Sequence, residues 1–314
     1  VMVNVSRGLA APITLEPDHN DILAARDSGF LQIHCATCQE VLDTTLMAYR
    51  LAEDPRVRLP VIVNEDGFYL SFTREPVAIP DAEQAAAFVG EFDAENIKFR
   101  ASAPSSQAVA VLGGTPYSYF RYEIHRAVQN SLTVHQEICE EFAEQFGRHY
   151  DAIESYQVDD AEYVFVIMGC FATKAKAAVD SLRAAGWKIG LLRPRLIRPF
   201  PAEDFRRKFA GKKAVAVIDQ NISMGKGGIL HTELRSELYG LSDAPPIVAS
   251  FMGGLGGRDI SQEEFFQMAT VLREAVVSGE TPEPRLLYTE TELRQMHKLQ
   301  AIAHVEREEL GEYE

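Results

Sequence analysis

Tyr163-Val164-Phe165-Val166-Ile167-Met168-Gly169 decides the fold. A strand with one wet face alternates apolar and polar residues, whereas six apolar residues in a row fit a strand covered on both faces. Gly169 then turns the chain into a helical pattern over 173–185, which Gly186 closes, and 188–193 gives the next strand. Strand, helix and strand of these lengths form a right-handed βαβ unit of a parallel sheet. Toward the C-terminus the rhythm repeats. Arg198-Pro199-Phe200-Pro201 leads to a short helix over 202–209, and 214–219 is a strand ending in a loop with Gly225, Gly227 and Gly228. A helix from Leu230, a strand over 247–251, a loop with Gly253, Gly254, Gly256 and Gly257, and a helix over 262–278 complete the unit. Residues 280–314 are polar and acidic, with an amphipathic helix near 291–309.

Toward the N-terminus, residues 1–5 read as a buried strand and 6–20 as a turn-rich loop. Residues 21–28 form a short helix and 30–35 a strand. Val41, Leu42, Thr45, Leu46, Tyr49 and Ala52 recur at helical spacing within 37–54. A strand over 59–63 ends at Asn64-Glu65-Asp66-Gly67, giving a second βαβ unit. A short helix over 82–92, a surface connector over 93–116, a long amphipathic helix over 119–147 and an acidic loop over 151–162 join the two units. The expected division is 1–80, a connector with the long helix over 81–159, a second domain over 160–279, and an extension over 280–314. The chain opens inside an apolar strand, without a polar leader; a terminal edge strand is one reading, and the preferred expectation is that the chain continues before Val1.

The 314 residues, 46% hydrophobic and 25% charged, have ordinary globular composition, which excludes a disordered or collagen-like chain. With 31 Lys+Arg against 46 Asp+Glu the net charge is −15, and no basic stripe suggests a nucleic-acid partner. No apolar run approaches the ~18 residues of a membrane span, and no secretory signal opens the chain. Four cysteines are too few for a disulfide framework. A soluble, cytoplasmic α/β protein is expected.

Several residues could carry chemistry. Both Gly-rich loops follow strand C-termini, where open parallel sheets bind ligands. Neither is GxGxxG in a first βα turn, and Gly225-Lys226-Gly227-Gly228 lacks the hydroxyl of a P-loop, so tight turns are the simpler reading. Cys35-Ala36-Thr37-Cys38 has no second cysteine pair for a structural zinc site, and thiol chemistry is the weaker reading. His34, His125 and His231 show no metal spacing. Arg7, just past a strand end, offers a guanidinium fork for a carboxylate or phosphate. Asp18 is either part of a site or the cap of the following helix, and His19 is either part of that site or a surface residue.

Arg7-Gly8-Leu9-Ala10-Ala11-Pro12, Asp18-His19-Asn20-Asp21-Ile22 and Ala24-Ala25-Arg26-Asp27-Ser28-Gly29 resemble the α-subunit of 2-oxoacid:ferredoxin oxidoreductases. The likeness continues in order through Leu59-Pro60-Val61-Ile62-Val63, Asp66-Gly67-Phe68, Arg198-Pro199-Phe200-Pro201, Asp219-Gln220-Asn221-Ile222-Ser223, Gly227-Gly228, Thr232-Glu233-Leu234 and Gly253-Gly254-Leu255-Gly256-Gly257-Arg258-Asp259. It covers residues 1–275.

The resemblance implies a fold of two parts. These are the second half of a parallel-sheet domain like the pyrimidine-binding domain of thiamine enzymes, then an α/β domain like the C-terminal domain of transketolases. It implies oxidative decarboxylation of a 2-oxoacid to acyl-CoA and CO₂, with thiamine diphosphate and Mg²⁺ at the interface with a β subunit. CoA is the co-substrate. [4Fe–4S] clusters lie on partner subunits, among them γ and ferredoxin-like ones. Ferredoxin, or a flavin/NAD subunit, takes the electrons. Arg7 aligns with the arginine that binds the substrate carboxylate; Asp18 and His19 fall in the same active-site loop. The cofactor-contacting glutamate and threonine of this family belong to a segment before Val1. Pyruvate is the commonest substrate in the family, but Gly8-Leu9-Ala10 is unlike a pyruvate enzyme and leaves a branched or aryl 2-oxoacid, such as phenylglyoxylate, open. A non-catalytic assembly subunit and a nucleotide-binding module using 223–228 stay as alternatives.

Overall fold

The structure is a computed structural model that describes residues 1–92, 101–104 and 113–309. Most of the connector expected over 93–116 lies outside those residues. The first lobe contains β1 (Met2–Ser6), α1 (Asn20–Ala24), β2 (Leu31–His34), α2 (Cys38–Glu53), β3 (Val61–Asp66), α3 (Ala82–Val89) and α4 (Gly114–Phe146). The second contains β4 (Ile153–Tyr156), β5 (Tyr163–Ile167), α5 (Ala172–Ala184), β6 (Ile189–Pro194), β7 (Leu196–Arg198), α6 (Ala202–Phe209), β8 (Ala214–Asp219), α7 (Ile229–Leu238), β9 (Ile247–Met252), α8 (Gln262–Ser278), β10 (Arg285–Leu286) and α9 (Glu290–Glu309).

The second sheet has the order β10-β9-β8-β5-β6-β4, parallel except for β4, which runs antiparallel to β6. Strand β5 explains the unbroken apolar run. Phe165 and Ile167 face one buried cluster with α5 and α8. Val164 and Val166 face another with Phe205, Phe209, Leu230 and Leu234. Each large apolar side chain buried this way contributes roughly 1.5–3 kcal/mol. In β8, Ala214 and Ala216 face the first cluster and Val215 and Val217 the second, so small residues sit where α5 and α8 approach. Helix α8 starts with a capping box: Ser261 accepts from the Glu264 backbone, and the Glu264 side chain reaches back.

The first sheet has the order β1-β3-β2-β7. Strands β1, β3 and β2 are parallel; β7 pairs antiparallel with β2, matching Ile33 to Leu196. Residues 196–198, which follow β6 of the second sheet, therefore complete the first. Neither β4 nor β7 was expected. Both are short, and the acidic residues around β4 hide its strand pattern.

The expectation of a buried opening strand fails. Strand β1 pairs only with β3, and Met2, Val3 and Val5 are 44%, 46% and 39% exposed. Of its five residues only Ser6 is buried. Strand β3 runs on to Asp66, three residues past the expected end, and this brings Asp66 level with Ser6.

Candidate functional site

The C-terminal ends of β1, β3, β5 and β8 converge between the lobes, where open parallel sheets place their ligand-binding loops. Four of them supply Arg7, Asp66, Gly169 and Gln220 to one region, crossed by the loop over 7–19.

His19 stands at its centre and is fully buried. The surface alternative for this residue is wrong. Its Nε2 lies 2.7 Å from Asp66 Oδ1, and its backbone N–H donates to the Gln220 carbonyl at 2.8 Å. The other Asp66 oxygen accepts from the Cys170 backbone N–H at 2.6 Å. One carboxylate thus holds a first-lobe histidine and the second-lobe turn after β5. Burial alone would lower the His19 pKa, but Asp66, then Asp21 and Asp18, raise it above 6.5. Burial alone would raise Asp66; His19 and the Cys170 N–H hold it below its ordinary value. Both directions describe an imidazolium–carboxylate pair. The His34 ring packs edge-on to His19 at 5.3 Å, and burial together with His19 pushes His34 down to about 3, so it is neutral.

Gly169 (φ +70°) must be glycine. A Cβ there would lie 2.5 Å from Asp66 Oδ2 and 2.9 Å from the His19 ring.

Asp18 is buried, and the N-cap of α1 is His19, with no side-chain cap hydrogen bond, so Asp18 is not the cap of that helix. Its Oδ1 accepts from the Asn20 backbone at 2.9 Å, at the start of α1. Its Oδ2 receives a long contact, 3.4 Å, from the Gly256 N–H of the second Gly-rich loop. Gly257 N–H donates to the Pro17 carbonyl at 2.7 Å, and Tyr69 Oη donates to the Gly257 carbonyl at 2.7 Å. This Gly-rich loop is a docking surface for the 14–18 segment.

Arg7 is half-buried. Its backbone N–H donates to Asp21 at 3.1 Å, and its guanidinium lies 5.3 Å from the centre of the Phe68 ring. Among the described residues, no carboxylate pairs with that guanidinium. Phe68 (φ +62°) sits in the turn after Asp66, and Phe72 stacks on it at 5.3 Å.

The other Gly-rich loop is closed to an anion. The first backbone N–H groups of α7 are already taken: Leu230 and His231 donate to Asp219 at 2.8 and 3.2 Å, and Ile229 to Asn221 at 3.0 Å. Burial pushes the Asp219 carboxyl up to about 6. The four cysteines are free. Cys35 is buried and pushed up to about 12, and Cys38, although first in α2, is raised by burial and Glu75. Neither is an activated thiolate.

A buried ion network also spans the lobes. Arg193 of β6 donates to Glu40 at 3.0 Å and to Glu154 at 2.6 Å, and Arg195 donates to Thr44 at 2.7 Å.

Residues 1–142 match the family model described as pyruvate flavodoxin/ferredoxin oxidoreductase, thiamine diP-bdg. Residues 161–265 match pyruvate:ferredoxin oxidoreductase core domain II. The pyruvate synthase subunit PorA of Pyrococcus abyssi is 37% identical over 284 residues, covering 90% of this chain and 71% of that one. The chain belongs to the 2-oxoacid:ferredoxin oxidoreductase family. PorA of Methanothermobacter thermautotrophicus is 39% identical, covering 83% of this chain and 66% of its own length. The ketoisovalerate oxidoreductase subunit VorA of P. abyssi is 37% identical, with 89% and 70% covered. The fold is also that of a 2-oxoglutarate:ferredoxin oxidoreductase from Magnetococcus marinus solved with 2-oxoglutarate, coenzyme A and succinyl-CoA (TM-score 0.53, 21% identity, 87% of this chain and 48% of that one). The family read from the sequence motifs is thus borne out, and the curated relatives of this 2-oxoacid:ferredoxin oxidoreductase member are oxidoreductase subunits. Among its described residues, no helix is long and apolar enough to cross a membrane.

The sequence singled out Arg7, Asp18 and His19, which the fold brings into one loop. It missed Asp66 and Gly169. Asp66-Gly67 reads as an ordinary turn and Gly169 as an ordinary strand end; only the tertiary approach of the two sheets gives them partners.

Proposed function

We propose that this chain is the subunit of a thiamine diphosphate- and CoA-dependent 2-oxoacid oxidoreductase that binds the carboxylate of the 2-oxoacid through Arg7. The observation that carries the reading is the Arg7 guanidinium itself, at a strand C-terminus, seated on Phe68, with no carboxylate partner among the described residues. A fixed cation there neutralises the substrate carboxylate and orients the 2-oxo carbon. Bound thiamine diphosphate supplies the carbanion stabilisation that decarboxylation needs.

The donor set bears on where the cofactor's ends go. Among the described residues no group of three or more His, Cys, Asp or Glu could hold a metal ion. By the family resemblance we assign the diphosphate and Mg²⁺ to a β subunit, and the [4Fe–4S] clusters and the ferredoxin, or flavin/NAD, acceptor to other partners. The substrate is pyruvate or a bulkier branched or aryl 2-oxoacid.

The test is Arg7→Ala in the assembled complex, assayed against a panel of 2-oxoacids. The expected result is a fall in kcat/KM of about a hundredfold or more, with assembly intact. Unchanged kinetics would remove Arg7 from the site.

A further inference from the structure

The loop that carries Arg7 is held at its far end. Residue 19 meets three strand ends at once: Asp66 at the end of β3, Gln220 after β8, and the Gly169–Cys170 turn after β5. The near end hangs on the same Asp66. The turn after it receives Arg7: Gly67 N–H donates to the Ser6 carbonyl at 3.1 Å, and Leu70 N–H donates to the Asp66 carbonyl at 2.9 Å. Phe68 of that turn is the platform under the guanidinium. The two ends are also stitched directly. Ser6 Oγ donates to the Asp18 carbonyl, and Gly8 N–H donates to the Glu16 carbonyl at 3.1 Å.

We propose that His19 is a positioning residue for Arg7: by clasping Asp66 at the edge of the joint between the lobes, where Cys170 and Gln220 of the second lobe hold the pair, it fixes the turn on which the carboxylate-binding guanidinium rests. The proposal rests on the reading of Arg7 given above. His19 touches no reacting atom; it acts through Asp66, Gly67 and Phe68.

The groups facing His19 are Asp18 and Asp21 from its own segment, Asp66 from β3, His34 from β2, Cys170 after β5 and Asp219 from β8. His34 is held near 3, Cys170 is raised by burial and Asp66, and Asp219 is held near 6. The clasp accordingly weakens on the alkaline side, as His19 loses its proton.

The experiment uses the assembled enzyme with His19→Gln, Arg7→Ala and the double variant. Hydrogen exchange across residues 6–20 is measured on each, with α8 as the internal control. The expected result for His19→Gln is a KM for the 2-oxoacid raised about tenfold or more, kcat changed far less, and the alkaline loss of kcat/KM abolished. Exchange rises across 6–20 and not in α8. The double variant is no worse than Arg7→Ala alone, because the clasp works through Arg7. Wild-type KM and exchange in His19→Gln would overturn the proposal, as would effects that add in full to those of Arg7→Ala. If His19→Gln does not assemble, His19→Asn and the exchange of residues 6–20 in an Asp66→Asn enzyme decide: exchange must rise across 6–20 and not in α8, and wild-type exchange in both overturns the proposal. Normal kinetics in Arg7→Ala would instead sink the carboxylate reading, while the exchange data still report whether His19 holds the loop.

Discussion

His19 Nε2 and Asp66 Oδ1 stand 2.7 Å apart with neither side chain more than 1% exposed. Their pKa values move in opposite directions, His19 up and Asp66 down. A raised histidine stabilises the fold fully below its ordinary value of about 6.5 and loses that contribution as pH rises through the native one. A depressed aspartate contributes above its ordinary value and loses it as pH falls through the native one. The stability gap between wild type and His19→Gln should therefore be widest between about pH 4 and 6.5, on the order of 1–3 kcal/mol, and narrow toward pH 9. Chemical denaturation across that range measures it; a gap that does not change with pH would contradict a charged pair.

Gly169→Ala should be among the costliest glycine changes. The new Cβ meets Asp66 at 2.5 Å and the backbone is left-handed. Gly186, at φ +88°, has nothing within 4 Å, so Gly186→Ala carries only the backbone penalty, about 1–2 kcal/mol. A Tm for Gly169→Ala no lower than that of Gly186→Ala would show that the turn after β5 yields easily.

Arg193 is 2% exposed between Glu40 and Glu154. Arg193→Met leaves two carboxylates facing an apolar side chain and should cost about 3–5 kcal/mol. Adding Glu40→Gln and Glu154→Gln should recover a good part of it. Full additivity of the three changes, measured by denaturant titration, would rule out coupling.

Asp219→Ala removes the acceptor of Leu230 and His231 and should cost about 1–2 kcal/mol. Gly228→Ala should also destabilise, since its Cβ would lie 2.0 Å from Asp219 Oδ2. Titration of the wild type with ATP or NAD should produce no heat, because the α7 N–H groups are occupied; binding heat would reinstate the nucleotide alternative.

Alkylation should reach Cys38 first and slowly, as Cys35, Cys139 and Cys170 are buried and Cys38 is raised. Mass mapping after iodoacetamide at neutral pH checks this. Rapid labelling of Cys35 would contradict its placement in the core.

Long regular elements were legible in the chain, because their patterns are local. Helices α6 and α8 and strand β8 lie where periodicity and bounding glycines put them, and the βα rhythm gave the parallel sheets. Three things needed tertiary structure. Strand β7 is three residues long and has no pattern of its own. The exposed faces of β1 look identical in sequence to buried ones. Asp66 has meaning only through residues 47 and 104 positions away, His19 and Cys170. Arg7 could be picked out because a guanidinium just past a strand end offers a fork for an anion and because it falls in the motifs of the family resemblance; its Phe68 platform could not.

The crossing of residues 196–198 into the first sheet sets a rule for building hybrids from relatives with different substrates. A splice at residue 160 would give β2 a foreign edge strand and match Ile33 to a stranger in place of Leu196. A hybrid that keeps its lobes in register must inherit β7 with the first lobe, although the chain writes it inside the second. Substrate preference should thus be exchanged by transplanting loops, such as that over residues 7–19, and not by trading whole halves.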